Sequence, residues 1–340
     1  MTDIFIKSFN RPFYLDRCLT SVQKFVSGKF QVTILDDGTP DQYLAKIQQR
    51  HPEVKIIKSK NYNQKTSAIQ NNLKNGAEIN GFEIPTDLWI EAAKNGSEYF
   101  IMTEEDVWFT QPINVDLMVS ECKKSGVNLL KLGVLGKSLE DESVSSAEIN
   151  EKMEALIPEG LILGSRKFME VFFLNKFKFF TILYKLGKVD NTTQLKYWSL
   201  NSILMGLYKK EYWLEVWKDM HGKVDEKRQL INASSYYHQY KNNKNFIAKL
   251  KNEAMKTTFQ SSSTNSYHQY GNRFDVNVFN HQISDAWFED RFDAMQNFPK
   301  DYSLDYFEQF LDEKINKTEF RNWVENFRKH YREIGCNVEN

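Results

Sequence analysis

Ile4-Phe-Ile-Lys-Ser-Phe-Asn-Arg-Pro12, Tyr14-Leu-Asp-Arg-Cys-Leu-Thr-Ser-Val22 and Ile34-Leu-Asp-Asp-Gly-Thr39 set out a short apolar run, an amphipathic stretch and a second apolar run ending on an acidic turn. Strand, helix, strand in that order is the unit of a parallel sheet with helices on its faces. Asp3 to Phe9 reads as the first strand. Leu15, Leu19 and Val22, with Cys18 between, share one helix face by their spacing. Gln31 to Leu35 reads as the second strand, and Pro40 opens a helix whose inward face is Tyr43, Leu44 and Ile47.

Further along, Val54 to Ile57 reads as a third strand. Lys60 to Lys65 reads as a loop leading into a helix with Ala68, Ile69 and Leu73, and Asn75 to Pro85, rich in Gly and Asn, reads as a surface connection. Thr86 is placed to cap a helix through Leu88, Trp89, Ile90, Ala92 and Ala93 that Gly96 ends. Tyr99 to Met102 is the fourth strand, and it delivers Thr103, Glu104, Glu105 and Asp106 at its carboxyl end. Open α/β sheets bind ligands beyond those ends.

After about residue 135 the pattern loosens. Leu129 to Leu135 and Gly160 to Leu163 read as strands, Ser138 to Ala155 as a polar, mobile excursion, and Ser165 as a helix cap. From Lys167 to Trp217 the chain reads as aromatic and helical. From Trp287 onward it reads as helical again, with Phe307, Phe310, Leu311, Ile315, Phe320, Trp323 and Phe327 inward. The expected division is 1–135 for the regular α/β half, 136–280 for a second half with the aromatic helical segment and 281–340 for a helical extension.

Lys plus Arg and Asp plus Glu both total 45, so no global field points to nucleic acid or an acidic polymer. Three cysteines, Cys18, Cys122 and Cys336, without CxxC spacing fit neither a disulfide framework nor a structural zinc site. With no leader evident in MTDIFIKSFNR and no run of roughly 20 apolar residues, the expected location is the cytoplasm. Phe172 to Lys188, where Lys176, Lys178, Lys185 and Lys188 alternate with Phe, Ile and Leu, has two readings. Burial against the main domain is favoured by its apolar face, and the other reading is peripheral contact with the inner face of a membrane bearing a lipid-linked acceptor. Most of the Phe, Tyr and Trp residues are expected in the core, with a sugar-stacking surface as the alternative.

Three strand ends carry polar residues: Ser8, Asn10 and Arg11; Asp36 and Asp37; and Glu104, Glu105 and Asp106. Carboxylates there accept hydrogen bonds from a base or ribose, and clustered hard oxygens suit Mg2+ or Mn2+. Each signal also has an ordinary explanation, since Asp-Asp-Gly-Thr makes a turn for backbone reasons and Glu-Glu-Asp suits a solvated loop.

These runs, with Thr103-Glu-Glu-Asp-Val107, resemble the opening and the DxD element of the inverting family-two glycosyltransferases, over residues 3 to about 135. The resemblance implies a GT-A fold, a mostly parallel α/β sheet flanked by helices with a helical C-terminal extension. It also implies a metal-dependent transferase moving a sugar, with UDP as the favoured nucleotide, onto a hydroxyl of a glycan or lipid-linked acceptor in bacterial glycan assembly. By the same resemblance Asp37, with Asp36 beside it, reads the base and Lys65 approaches the nucleotide. Glu104 and Glu105 face ribose or donor sugar, and Asp106 holds the metal. His238 is a further ligand, with His268 as rival because both sit in the echo Tyr-His-Gln-Tyr. The family's Glu-Asp pair for the general base is not found between residues 165 and 210, where Asp190 becomes the candidate by elimination; Glu289-Asp290 matches the dipeptide but lies late. That gap leaves open a noncatalytic carbohydrate- or partner-binding protein on a transferase fold. A sugar-phosphate nucleotidyltransferase ranks lower because Ser8-Phe-Asn-Arg-Pro12 replaces its Gly-rich loop. A dehydrogenase ranks lower still, since no GxGxxG follows the first strand.

Overall fold

Every residue from Ile4 to Ser8 is buried, and this strand is the axis of the molecule. The computed structural model describes all residues except 78, 80, 81, 136–143, 264–273, 334, 339 and 340. Nine strands form one sheet: β1 (Thr2–Ser8), β3 (Phe30–Asp36), β4 (Lys55–Lys58), β5 (Tyr99–Glu104), β8 (Leu129–Lys131), β9 (Val144–Glu148), β10 (Met153–Pro158), β11 (Gly206–Lys209) and β12 (Ile247–Leu250). Their order is β4-β3-β1-β5-β11-β8-β12-β10-β9. Parallel pairing holds through β4, β3, β1 and β5; β11 is antiparallel to both neighbours, and β12 is again parallel to β8. This is the mostly parallel, then mixed, helix-flanked sheet that the sequence resemblance implies. Ser8 stands opposite Asp36, and Lys7 opposite Glu104.

Side chains alternate across a strand, so a central strand must find apolar cover on both faces. Ile4, Ile6, Tyr99 and Ile101 enter one core with helix α1 (Pro12–Phe25) and the C-terminal helices Val276–Phe288 and Lys317–Glu333. Phe5, Phe100 and Met102 enter a second core with helix α4 (Thr86–Asn95) and the helices Lys210–Val216 and Glu226–Gln239. The result is three layers. Leu15, Cys18, Leu19 and Val22 are buried as their spacing predicts, as are Tyr43, Leu44 and Ile47 in helix α2 (Asp41–Arg50). Phe307, Leu311, Ile315, Phe320, Trp323 and Phe327 are buried too.

Local expectations fail where a distant partner decides. Helix α3 (Tyr62–Asn75) begins inside the stretch read as a loop, so Lys65 is helical. Thr86 is the first helical residue rather than the cap, because its hydroxyl accepts the Gly222 N–H at 2.9 Å instead. Gly96 ends α4 with φ −77, outside the left-handed region; a Cβ there would stand 2.9 Å from the Phe5 ring, so close packing is what requires glycine. The part of the polar excursion that is described, from residue 144, forms the hairpin β9–β10, whereas 160–163 is irregular. β11 and β12 lie in stretches read as helical or left unassigned. Of Leu129 to Leu135 only the first three residues are strand.

Between residues 174 and 188 nothing is buried. Phe179 and Phe180 rest on Phe168 and Phe172, with ring centroids 5.7 and 5.4 Å apart, but the rest of the segment faces outward, against the expectation of burial. Among the described residues, no helix is long and apolar enough to cross a membrane.

One buried cation ties the ends of the chain together. Arg17 of α1 is fully buried, stacked within 4.5 Å of the Trp108 ring and 4.6 Å of the Tyr302 ring, and it donates to the carbonyls of Ala294, Gln296 and Lys300. Arg17→Met keeps the bulk but strands those carbonyls. It is expected to cost roughly 2–4 kcal/mol, read as a lower urea midpoint at unchanged slope; an unaltered midpoint would discount the tie.

Candidate functional site

Strand order places the site. The chain runs from β1 outward to β3 and β4, then returns to the other side of β1 as β5, so the crevice between the carboxyl ends of β1 and β5 is where an open α/β sheet takes its ligand. Asn10 makes the turn out of β1 in the left-handed region, at φ 54, and its N–H is held by Thr39 Oγ1 at 2.8 Å. Asparagine tolerates this conformation better than most residues. The turn sends Arg11 across the crevice to the acidic run. Its Nε donates to Glu105 Oε1 at 2.9 Å and its Nη2 to Asp106 Oδ2 at 2.9 Å.

Glu104, Glu105 and Asp106 form the tight turn between β5 and β6 (Val107–Phe109), and the antiparallel partner β13 (Met255–Thr257) holds that turn from outside. Glu105 is only 4% exposed, which rules out a solvated loop. Lys7, packed on the Trp89 ring at 4.8 Å, pairs with Glu104. Three carboxylates thus face two cations. Burial raises the Glu105 and Asp106 carboxyls above their ordinary range, and Arg11 opposes that rise. Asp106 Oδ1 and Arg11 Nη1 are buried without partners.

At the end of β3, Asp36 Oδ1 accepts the N–H groups of Gly38 and Thr39 at 3.0 and 2.8 Å, while burial lifts its carboxyl to about 6. Asp37 pairs with Lys65, whose ammonium also donates to the Glu83 carbonyl at 2.8 Å. Gly38 has φ 144, and any Cβ would press on Lys65 and the Phe9 ring at 2.9 and 3.0 Å. Ser8 Oγ, Asn10 Nδ2, Asp36 Oδ2, Asp37 Oδ1, Ser59 Oγ and Thr103 Oγ1 are also buried without a well-aligned partner, although the Ser8 hydroxyl lies near enough to Asp36, and that of Ser59 to Asp37, to favour the ionised carboxylates. With the Arg11 and Asp106 atoms, eight such atoms collect at the ends of β1, β3, β4 and β5. Folded proteins leave few polar atoms unsatisfied, so this concentration marks a surface shaped for a polar ligand.

A cavity of about 760 Å³ opens beside the acidic turn. Arg11, Glu104 and Asp106 line it, with Lys131 after β8, Trp198 from the 3-10 turn Leu195–Leu200, Ser261 to Ser263, and His330 and Tyr331 from the last helix. Ser8, Asn10, Asp36, Asp37, Lys65 and Glu105 are not among its lining residues. Ser8, Asn10, Asp36 and Asp37 belong to the adjoining strand ends, Lys65 to helix α3 beside them, and Glu105 is held by Arg11.

Two expected residues lie elsewhere. Asp190 is exposed, and its carboxylate accepts from the Thr192 N–H, Thr192 Oγ1 and Thr193 Oγ1 at 2.8–2.9 Å, capping its own turn. His238 does not line the cavity. It is twelve residues beyond Glu226, the cavity-lining residue at the start of the same helix, or about 18 Å at the helical rise. His268, in the second copy of the Tyr-His-Gln-Tyr echo, is outside the described residues.

Glu226 is the carboxylate that the sequence reading missed. Asp225 caps the helix Glu226–Gln239, so an acidic pair does occur past the acidic turn, but beyond the 165–210 stretch searched for it. Lys131 had a signal as well, being a charged residue at the end of the apolar run Leu129-Leu130. Trp198, His330 and Tyr331 had none, since only the tertiary fold brings them together.

Residues 3–75 match the family model described as Glycosyl transferase family 2. Over that opening stretch the chain is similar to family-two glycosyltransferases. The matched stretch comprises β1 to α3 and carries Arg11, the Asp36-Asp37 turn and Lys65, while the acidic turn lies beyond it in the same sheet. Among solved structures, TarS 1–349 of S. aureus is 13% identical, covering 98% of this chain and 92% of that one, with a TM-score of 0.42. The same protein in complex with UDP-GlcNAc is 14% identical over the same shares, with a TM-score of 0.44. The longer S. aureus TarS structure is spanned over 55% of its length. Glucosyl-3-phosphoglycerate synthase of Mycobacterium tuberculosis, in complex with Mn2+, UDP and glucosyl-3-phosphoglycerate, is 12% identical over 38% of this chain and 43% of that one, with a TM-score of 0.24. No curated protein matches the sequence.

The raised Asp36 carboxyl gives the folded chain a pH signature. The folded state holds the proton more tightly than the unfolded chain, so the stability contributed at low pH is lost as pH rises from about 4 to about 6, by up to roughly 3 kcal/mol. Asp36→Asn is expected to gain on wild type by that order between melts at about pH 4.5 and about pH 7.5. A difference that stays constant with pH would exclude a buried acid here.

Proposed function

We propose that the chain is a transferase that moves a sugar from a nucleotide-sugar donor, with UDP as the nucleotide, onto a hydroxyl of a glycan or lipid-linked acceptor, with inversion, in bacterial glycan assembly in the cytoplasm. The observation that carries this reading is the meeting of Arg11, Glu104 and Asp106 in one cavity at the β1–β5 crevice. Asp36 and Asp37 offer unpartnered carboxylate oxygens to a base or ribose, and Lys65 fixes Asp37 in place. The UDP assignment comes from the family-two resemblance.

A divalent cation, Mn2+ or Mg2+, fits the acidic turn by its chemistry. Among the described residues no group of three or more His, Cys, Asp or Glu side chains is arranged to hold a metal. Such ions, however, are commonly held by one or two carboxylates with phosphates and water completing the shell. Asp106 offers one buried, unpartnered oxygen beside Glu104, so Asp106 is the residue that would hold the ion. When bound, the cation neutralises charge growing on the departing diphosphate. Arg11 positions the Asp106 carboxylate from the other side, and its free Nη1 is a further donor toward an anionic group.

Glu226 is the general base in this scheme. It takes the acceptor proton as the hydroxyl oxygen bonds to the anomeric carbon and the bond to diphosphate breaks. It is the cavity-lining carboxylate that lies outside the acidic turn. Asp190, occupied with its own turn, is the alternative. The noncatalytic reading drew on the missing Glu-Asp pair; Asp225-Glu226 offers two adjacent acids in the reverse order, which supports the catalytic reading.

Asp106→Ala is expected to abolish Mn2+-dependent nucleotide binding by calorimetry and to lower transfer by about 10²-fold or more while the melting curve persists. Full activity would refute the assignment. Glu226→Gln is expected to keep donor affinity and lose about 10²-fold or more in kcat, with Asp190→Asn near wild type. The reverse pattern would return the role to Asp190.

A further inference from the structure

The stretch from residue 171 to 189 contains four lysines and no acidic residue. Phe172, Phe173 and Val189 are buried and Phe179, Phe180 and Leu183 pack against the core, but five of its apolar side chains are turned outward: Leu174 is 41% exposed, Phe177 88%, Ile182 51%, Tyr184 48% and Leu186 65%. Single exposed apolar residues need no explanation, but a contiguous group of this size does. The loop is built rather than loose. Asn175, Phe177 and Lys178 all hold left-handed backbone, at φ 49, 56 and 57, a conformation that non-glycine residues avoid. The Asn175 side chain fixes it, donating to Thr181 Oγ1 at 2.9 Å and accepting the Thr181 N–H at 3.1 Å. A costly backbone is thus used to thrust Phe177 away from the protein.

The charges identify the occupant. Lys176 pairs with Glu170 at 3.2 Å, whereas Lys178, Lys185 and Lys188 form no ion pair among the described residues. Aromatic and aliphatic side chains ringed by unpaired lysines match the boundary of a bilayer with negatively charged headgroups, where rings enter the acyl edge and ammonium groups stay with phosphate. A second copy fits poorly, because a two-fold contact would set this patch against itself and bring like charges together. We propose that the segment from Leu174 to Lys188 docks the protein onto an anionic lipid surface, with Phe177 inserted and Lys178, Lys185 and Lys188 on the headgroups. This stands independently of the chemistry assigned to the cavity. Yet the two are neighbours, since Phe172 and Phe173 at the base of the segment pack on Tyr197, 6.0 and 4.9 Å between centroids, in the turn that gives Trp198 to the cavity wall.

Co-sedimentation of the full chain with vesicles tests this, using phosphatidylcholine alone or with about 30% phosphatidylglycerol, at roughly 50 and 500 mM salt. Wild type is expected to pellet only with the phosphatidylglycerol vesicles, and only at low salt. Phe177→Asp is expected to weaken binding about tenfold or more, and the combined Lys178→Glu, Lys185→Glu, Lys188→Glu variant about a hundredfold. Both variants should keep the wild-type melting temperature and lipid-free hydrolysis of a nucleotide sugar, so that failure here is separable from failure of the transferase reading. Wild type remaining in the supernatant, or variants pelleting as wild type does, would overturn the proposal. So would a wild-type dimer in analytical ultracentrifugation that Phe177→Asp dissociates, because a second copy would then cover the patch.

Discussion

A guanidinium shared by two buried carboxylates is the constraint from which the site follows. Arg11 reaches Glu105 and Asp106 only because β1 and β5 are neighbours and because Asn10 turns the chain through a left-handed conformation. That cation opposes the rise that burial imposes on the two acids packed beneath the crevice. One buried Asp106 oxygen is still left without a partner, so the pairing organises the turn without saturating it. The β3 side works alike, since Lys65 holds one Asp37 oxygen and leaves the other. In both places the protein uses one cation to fix a carboxylate while keeping a lone oxygen for a guest.

How much was legible in the sequence depended on how local the cause was. The central strands read clearly because burial on both faces makes them apolar runs, and α1 and α2 because their inward residues recur at helical spacing. The strand-end polar residues could be named from that frame alone. Glu226 was not legible, because next to a helix cap, Asp225, an acid at the first helical position is ordinary, and only the tertiary fold turns it to the cavity. β11 was missed for a physical reason. Gly206 to Lys209 is four residues long, lies between helix-like stretches, and becomes a strand only because β5 and β8 flank it. His238 and Asp190 were chosen by residue type and sequence distance, which do not fix direction in space.

The large complement of rings went mostly into cores, as expected. Trp108, Trp213, Trp287 and Trp323 are essentially inaccessible. The exceptions are informative by position, for Trp198 faces the cavity and Phe177 faces outward. The second half of the chain therefore has two tasks, closing the far wall of the cavity and completing both faces of the sheet.

The enclosure of Arg17 bears on how the chain reaches its native state during synthesis. The helix that carries it leaves the ribosome early, but the carbonyls and the Tyr302 ring that receive the charge come nearly three hundred residues later. Until then the guanidinium has only water to solvate it, and the layer beneath the sheet cannot close without burying an uncompensated cation. The first α/β units thus wait, hydrated, for the last segment. A polypeptide released before that segment would carry an unfinished core, so the amino-terminal module is a recognisable unit of sequence without being a self-sufficient unit of folding.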